Sequence, residues 1–310
     1  MRLLLQFPEG LKQKALEYAK SYEAEGHEVF LSASPCYGAC DICIDEARWI
    51  RADRIVHFGH NRFVARGFEI PVEYVEYRID IEIEKLAALL PHLKNFSTIA
   101  IATTVQHVHQ LEAMKSFFEK HGKRVLIGKG SRAPVAGQVL GCDAGAIKSV
   151  EKNAEAIVFV GNGRFHALAI DVEKDKPIFV FDPAGQESGK ESGKGAIVID
   201  ISKEVEKLRK RRKGAIAKAL SCRCFGILLS TKPGQFNPVQ AEWAKKELRS
   251  RGLEAEILLA NCLDPMALNN FVVFDCYVTT ACPRMADDTE AFGKPVLSLD
   301  MLRELFLLMG

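Results

Sequence analysis

Residues 99–127 read IAIATTVQHVHQLEAMKSFFEKHGKRVLI, and this stretch decides the fold. Ile99–Thr103 is a short apolar run of the kind that buried strands show. Val105 to His121 then carries amphipathic helical spacing. Gly122 follows, a residue that stops a helix in the left-handed conformation without a Cβ penalty. Arg124–Ile127 reads as a second strand. The phrase occurs twice more, as Leu3–Phe7, Leu11 to Glu25, Gly26 and Glu28–Leu31, and as Ile227–Ser230, Pro238 to Arg251, Gly252 and Glu256–Leu259. Each copy continues into a further apolar run (Ile55–Phe58, Ile157–Val160, Phe271–Phe274). A last run stands behind a proline or Lys-Pro (Val72–Tyr77, Ile178–Phe181, Val296–Leu299). The first two copies also share a loop phrase, Gly59-His-Asn-Arg62-Phe63 against Gly161-Asn-Gly-Arg164-Phe165.

The expectation is an α/β protein of three similar units, 1–92, 93–205 and 206–310, each a small four-stranded, mostly parallel sheet with helices on both faces. One continuous larger sheet is the alternative. The whole chain, at 310 residues, is long enough for two or three domains. Its 48% apolar and 26% charged residues are those of a soluble globular protein and exclude a disordered tail or a collagen. Lys+Arg 42 against Asp+Glu 40 leaves +2, which gives no whole-protein electrostatic case for nucleic acid or anionic lipid. The first residues hold too short an apolar run for a signal peptide, and nothing reaches the ~20 apolar residues of a membrane span. The expected location is cytoplasmic.

Nine cysteines in a chain without an export signal are core fillers or ligands rather than a disulfide framework. Three segments carry glycine and proline around the cysteine: Pro35-Cys36-Tyr-Gly38-Ala-Cys40-Asp41, Gly137-Gln138-Val-Leu-Gly141-Cys142-Asp143 and Thr280-Ala-Cys282-Pro283-Arg284. Small neighbours let a bulky cluster approach the backbone and leave amides free to donate to its sulfur. Cys40 and Cys142 follow the second strands of their copies, and Cys282 follows the third strand of its own. In parallel α/β units such loops are where chemistry collects. Cys222, Cys224 and Cys276 read as fillers. Cys36, Cys40 and Cys43 also match C-x3-C-x2-C, the spacing by which radical S-adenosylmethionine enzymes hold a [4Fe-4S] cluster from one loop, although that motif normally follows a first strand.

Tyr-Gly-Ala-Cys40-Asp, Gly-Gln-Val-Leu-Gly-Cys142-Asp and Thr-Ala-Cys282-Pro-Arg resemble the three cysteine signatures of the archaeal diphthamide-synthase family, the 2-(3-amino-3-carboxypropyl)histidine synthases. Gly-Arg164-Phe-His166 and Phe181-Asp182-Pro183 are similar to that family as well, so the resemblance spans essentially the whole chain. The departure lies in the extra thiols Cys36 and Cys43. The resemblance implies three α/β domains, each supplying one ligand (Cys40, Cys142, Cys282) to a central [4Fe-4S] cluster, in a homodimer served by an electron donor. The implied reaction moves the 3-amino-3-carboxypropyl group of S-adenosylmethionine onto a histidine of translation elongation factor 2.

Three thiolates leave one iron open to substrate. Binding the methionine end then calls for groups that grip a carboxylate and an amine. Arg284, with its two-point fork, Lys232 and Gln235 in the loop after the third copy's first strand, and Gln138 are the candidates for cofactor binding. Gln138 has the alternative role of orienting its loop. His166 is the candidate proton acceptor. Two other functions compete: an iron–sulfur Lewis-acid dehydratase of the quinolinate synthase type, and a zinc-binding non-enzyme using Cys36, Cys40 and Cys43. The Gly/Ser/Lys stretch 185–195 fails the phosphate-loop pattern and reads as a loop. The basic run Lys207–Lys213 reads as a solvated helix face, with docking of the elongation factor as its minority reading. His107 and His109 suggest no metal.

Overall fold

A computed structural model describes residues 1–64, 67–170, 176–185 and 197–310. It divides into two compact units, Met1–Val205 and Glu206–Gly310. The first holds two sheets. One is built from β1 (Arg2–Gln6), β2 (Glu28–Leu31), β3 (Arg54–Phe58) and β4 (Val72–Val75), in the order β2-β1-β3-β4. The other is built from β5 (Thr98–Thr103), β6 (Arg124–Leu126), β7 (Ala156–Val160), β8 (Ile178–Asp182) and β9 (Ile197–Asp200), in the order β6-β5-β7-β8-β9. The second unit holds β10 (Cys224–Ser230), β11 (Glu254–Ala260), β12 (Cys276–Thr279) and β13 (Val296–Ser298), in the order β11-β10-β12-β13. The order second-first-third-fourth recurs three times, so the repeat is real and the single continuous sheet is excluded. All pairs are parallel except β8 with β9.

The connecting helices are α1 (Ala15–Ala24), α2 (Ile44–Trp49), α3 (Leu111–Lys120), α4 (Gly145–Lys148), α5 (Ser202–Ala219), α6 (Pro238–Ser250), α7 (Pro265–Leu268), α8 (Thr289–Phe292) and α9 (Leu299–Met309). In α3 the buried residues Leu111, Met114 and Phe118 fall at helical spacing and pack beneath β5 and β7 with Ile99, Ile101 and Val158. Gly26, Gly122 and Gly252 end α1, α3 and α6 with φ of 85°, 76° and 73°, the left-handed stop expected of them. Two helices begin later than their spacing suggests. Residues 9–14 and 108–110 form 3-10 turns instead, because side chains there are used elsewhere. The Lys12 ammonium donates to the Ala33 and Ser34 carbonyls, and Gln110 exchanges hydrogen bonds with the Ile81 backbone.

Three expectations need correction. The second sheet has five strands, its fifth being the antiparallel β9. The third strand of the last copy is β12, Cys276–Thr279, not Phe271–Phe274. The latter residues form a turn in which Phe271, Val272 and Val273 are exposed. Asp275 sets that register: its carboxylate accepts from the Arg223 and Cys224 amides at the start of β10, which pairs Phe225 with Cys276. The basic run lies on α5, but it is not merely solvated, since Arg211 pairs with Glu290 and Arg212 with Asp287. Among the described residues no helix is long and apolar enough to cross a membrane. The Gly/Ser/Lys stretch, from residue 186 on, lies outside the described residues.

Candidate functional site

In the first unit, chemistry gathers beyond the carboxyl ends of β1, β3, β5 and β7. Gln6, the last residue of β1, is 1% exposed and stands in register with His57 on β3. Its amide nitrogen donates to the Asp41 carbonyl (2.7 Å), and its oxygen accepts from the Cys43 amide (3.3 Å). Both bonds fix the orientation of the Gln6 amide. The contact of 2.8 Å between His57 Nδ1 and that oxygen therefore carries the proton on Nδ1. His57 Nε2 is left with its lone pair and accepts from His60 Nδ1 at 2.9 Å. Burial holds both imidazoles neutral, His57 lowered to about 3 and His60 to about 4, and His166 adds its field at His60.

The next residue, Asn61, forms a reciprocal amide pair with Gln138: Asn61 Nδ2 to Gln138 Oε1 is 2.9 Å, and Gln138 Nε2 to Asn61 Oδ1 is 3.0 Å. Gln138 is 1% exposed and also bridges to Thr103 at the end of β5. A chain of hydrogen bonds, with the His60–Asn61 peptide as its one covalent step, thus runs from the Cys40 loop through Gln6, His57, His60 and Asn61 into the Cys142 loop. That second loop is wound on Asp143, whose carboxylate accepts from the Arg132 and Gly145 amides at 2.8 and 2.7 Å. Gly141 has to be small, because a Cβ there would lie 2.3 Å from Cε1 of Phe165. Phe165 belongs to the Gly-Arg164-Phe-His166 loop, so His166 is held beside the Cys142 loop. Burial raises the Cys142 thiol, and Arg132 acts in the opposite direction.

In the second unit the pairing of Leu228 with Thr279 brings the loops after β10 and β12 to the same sheet edge. Cys282 precedes a short turn, Pro283–Asp287. Arg284 forms an ion pair with Asp287 at 2.9 Å, and the Arg212 fork grips the same carboxylate by hydrogen bonds of 2.7 and 3.1 Å. Burial lowers the Arg284 pKa and the nearby Arg212 charge lowers it further, while Asp287 and the Cys282 thiol act in the opposite direction. Lys232 is buried at the start of the loop after β10, and Gln235 donates its amide to the Lys232 carbonyl at 2.9 Å.

Cys40, Cys142 and Cys282 are partly exposed, as is Cys224; Cys262 is exposed, and Cys36, Cys43, Cys222 and Cys276 are buried. Burial also raises the Cys43 thiol far from ionisation. Cys222 and Cys276 pack in the β10–β12 core as fillers. Among the described residues, no group of three donors at metal-binding distances joins Cys36, Cys40 and Cys43; Cys36 is grouped instead with His57 and His60. Those two histidines escaped the sequence reading. The signal for them was present: two polar residues, Gln6 and His57, at the ends of strands otherwise buried and apolar. His109 has the Asp80 carboxylate at 2.7 Å, and His107 Nδ1 meets the Ile79 carbonyl.

Comparison with known proteins adds the following. The family model of the diphthamide synthesis proteins matches residues 7–308. The 2-(3-amino-3-carboxypropyl)histidine synthase of Pyrococcus horikoshii is 36% identical over 302 residues, covering 96% of this chain and 83% of that one. Subunit 1 of the 2-(3-amino-3-carboxypropyl)histidine synthase of Gibberella zeae is 31% identical over 308 residues; the match takes in 96% of this chain but only 63% of that longer protein. Among solved structures, Dph2 from Pyrococcus horikoshii with a 4Fe-4S cluster superposes with a TM-score of 0.86 at 34% identity, over 99% of this chain and 86% of that one.

Proposed function

The chain belongs to the diphthamide synthesis protein family, and from that premise we propose that it transfers the 3-amino-3-carboxypropyl group of S-adenosylmethionine to a histidine of translation elongation factor 2. The observation that carries the reading is the match along 96% of the chain to a protein of that activity. In this reading Cys40, Cys142 and Cys282, one from each of the units 1–92, 93–205 and 206–310, hold a [4Fe-4S] cluster. The donor set suits the group: three soft thiols, each partly exposed in a loop beyond a strand end, with Arg132 beside Cys142 and Arg284 near Cys282 to favour thiolate. When bound, the cluster supplies an electron and an iron without a protein ligand.

The chain's own residues then select and orient. Arg284, held by Asp287, offers its fork to the carboxylate of S-adenosylmethionine, and Lys232 and Gln235, on the loop after β10, serve the same substrate. His166 takes the proton that the substituted imidazole must lose. Gln138, committed to Asn61, orients the Cys142 loop. Translation elongation factor 2 is the protein substrate, a separate donor supplies the electron, the working form is a homodimer, and the compartment is the cytoplasm.

Anaerobic turnover with S-adenosylmethionine, dithionite and recombinant elongation factor tests the proposal. Methylthioadenosine and a factor heavier by one aminocarboxypropyl group are expected, and 5′-deoxyadenosine in their place would overturn it. Changing Cys40, Cys142 or Cys282 to Ala should remove the iron chromophore, while Cys36→Ala and Cys43→Ala should keep it.

A further inference from the structure

Cys36, His57 and His60 take no part in the proposed transfer, yet one sulfur and one nitrogen from each ring all lie within 4.8 Å of one another. Cys36 and His57 are buried, at 4% and 0% exposure, and His60 is partly buried. From this juxtaposition we propose that the chain has a second metal site, a Cys-His-His centre for a borderline-soft divalent cation such as Zn²⁺, separate from the cysteines at 40, 142 and 282.

Four features support it. First, the donors are of the right kind: one thiol and two imidazoles suit zinc, and three protein ligands leave a fourth tetrahedral position open. Second, the rings are already neutral, as ligands must be, so no proton has to be driven off either one to admit the ion. Third, the supporting shell is built. His57 turns its Nδ1–H to Gln6 Oε1 at 2.8 Å, which fixes the tautomer and aims the Nε2 lone pair at His60. A ligating histidine characteristically donates its other ring N–H in this way. Fourth, the charge is balanced. A Cys36 thiolate cancels one positive charge, and the buried Asp41 carboxylate, which accepts from the Tyr37 amide next to Cys36, lies in the same turn.

The two nitrogens require little movement, and the Cys36 sulfur stands within 4.8 Å of them. Ideal zinc bonds place two nitrogens about 3.3 Å apart and a sulfur about 3.6 Å from each nitrogen. His57 Nε2 and His60 Nδ1 stand 2.9 Å apart, so admitting the ion moves the His60 proton from Nδ1 to Nε2, which frees the Nδ1 lone pair, and opens the pair by roughly 0.4 Å. Such an ion would pin the loop carrying Cys36 to the end of β3.

The site does not depend on the cluster reading, and the experiment keeps the two apart. The full-length Cys40→Ser/Cys282→Ser chain, stripped of metal and reduced, is titrated with Co²⁺ under nitrogen. One equivalent should bind with a thiolate-to-cobalt charge-transfer band of single-thiolate intensity. Adding Cys36→Ser should abolish the band, and adding His60→Gln should weaken binding. Gln6→Met, which removes the acceptor of the His57 Nδ1–H together with the amide's bonds to Asp41 and Cys43, should weaken it by roughly 10–100-fold. Far-UV circular dichroism identifies any variant that has lost its fold, and the partly buried His60 variant stands in if the Cys36 variant has. Failure of the double variant to bind cobalt, or a band that survives Cys36→Ser, overturns the proposal.

Discussion

Replacing Gln6 by Met tests whether the hydrogen-bonded chain between the two cysteine loops of the first unit is structural. Met fits the volume and removes both polar ends. Three buried groups then lose their partner: the Asp41 carbonyl (2.7 Å), the His57 Nδ1–H (2.8 Å) and the Cys43 amide (3.3 Å). Each orphaned group costs about 1–3 kcal/mol, the long Cys43 bond at the low end. The total of about 3–7 kcal/mol is offset by about 1 kcal/mol from burying a thioether in place of an amide. The net expectation is a loss of about 2–6 kcal/mol. At a urea dependence of about 2 kcal/mol per molar, the midpoint of the first unit's transition should fall by roughly 1 M or more. Far-UV circular dichroism follows the transition. Fluorescence of Trp243, packed edge-on against Phe306 in the second unit, serves as the internal control and should be unchanged. A shift below about 0.3 M would refute the argument, because the three groups would then have found other partners at no cost.

Stability should also depend on acid. The unfolded chain protonates His57 and His60 near the ordinary 6.5, while the folded chain resists until about 4 at His60 and about 3 at His57. The unfolded state binds more protons throughout that interval, so stability rises with pH across it and is lost as pH falls from 6.5 toward 4. An amplitude on the order of 5 kcal/mol is expected, roughly halved in His60→Gln, and urea midpoints between pH 4.5 and 7 measure it. In the second unit, Gly226→Ala would set a Cβ 2.7 Å from Cδ1 of Tyr277. That ring is fully buried and tied by its hydroxyl to the Leu268 carbonyl at 2.8 Å. Overpacking of about 1–3 kcal/mol should follow, read by Trp243 fluorescence during urea unfolding.

The repeat was legible because its signals are local. An apolar run, a helical spacing and a glycine stop are properties of adjacent residues, and Gly26, Gly122 and Gly252 adopt the conformation that their positions imply. What stayed hidden depends on residues far apart in sequence. Phe271–Phe274 is as apolar as a strand, and only the Asp275 carboxylate, gripping the amides of Arg223 and Cys224, decides that pairing begins at Cys276. The antiparallel β9 pairs with β8 and has no counterpart in the other copies to announce it. The cysteine loops showed themselves through their glycines. The histidines between those loops did not, because the role of His57 follows from its register with Gln6, fifty-one positions away.

The hubs of this chain of hydrogen bonds are amides, and the reason lies in what a buried hub must do. Gln6 has to donate to a carbonyl and accept from two N–H groups, and the pair Asn61–Gln138 exchanges a donor for an acceptor in each direction. A carboxylate only accepts and an ammonium only donates, so either would leave a buried partner unmatched. Gln138→Glu therefore sets an oxygen against Asn61 Oδ1 and buries a charge, with a loss of about 2–4 kcal/mol at neutral pH. Protonation restores the missing donor. The folded-state pKa of the introduced carboxyl should consequently rise above its unfolded value, and the deficit relative to the unsubstituted chain should shrink as pH falls from 7 toward 5. Paired urea midpoints across that range decide the matter: a deficit that stays constant or grows on acidification would mean that the Asn61–Gln138 pair does not hold the two loops together.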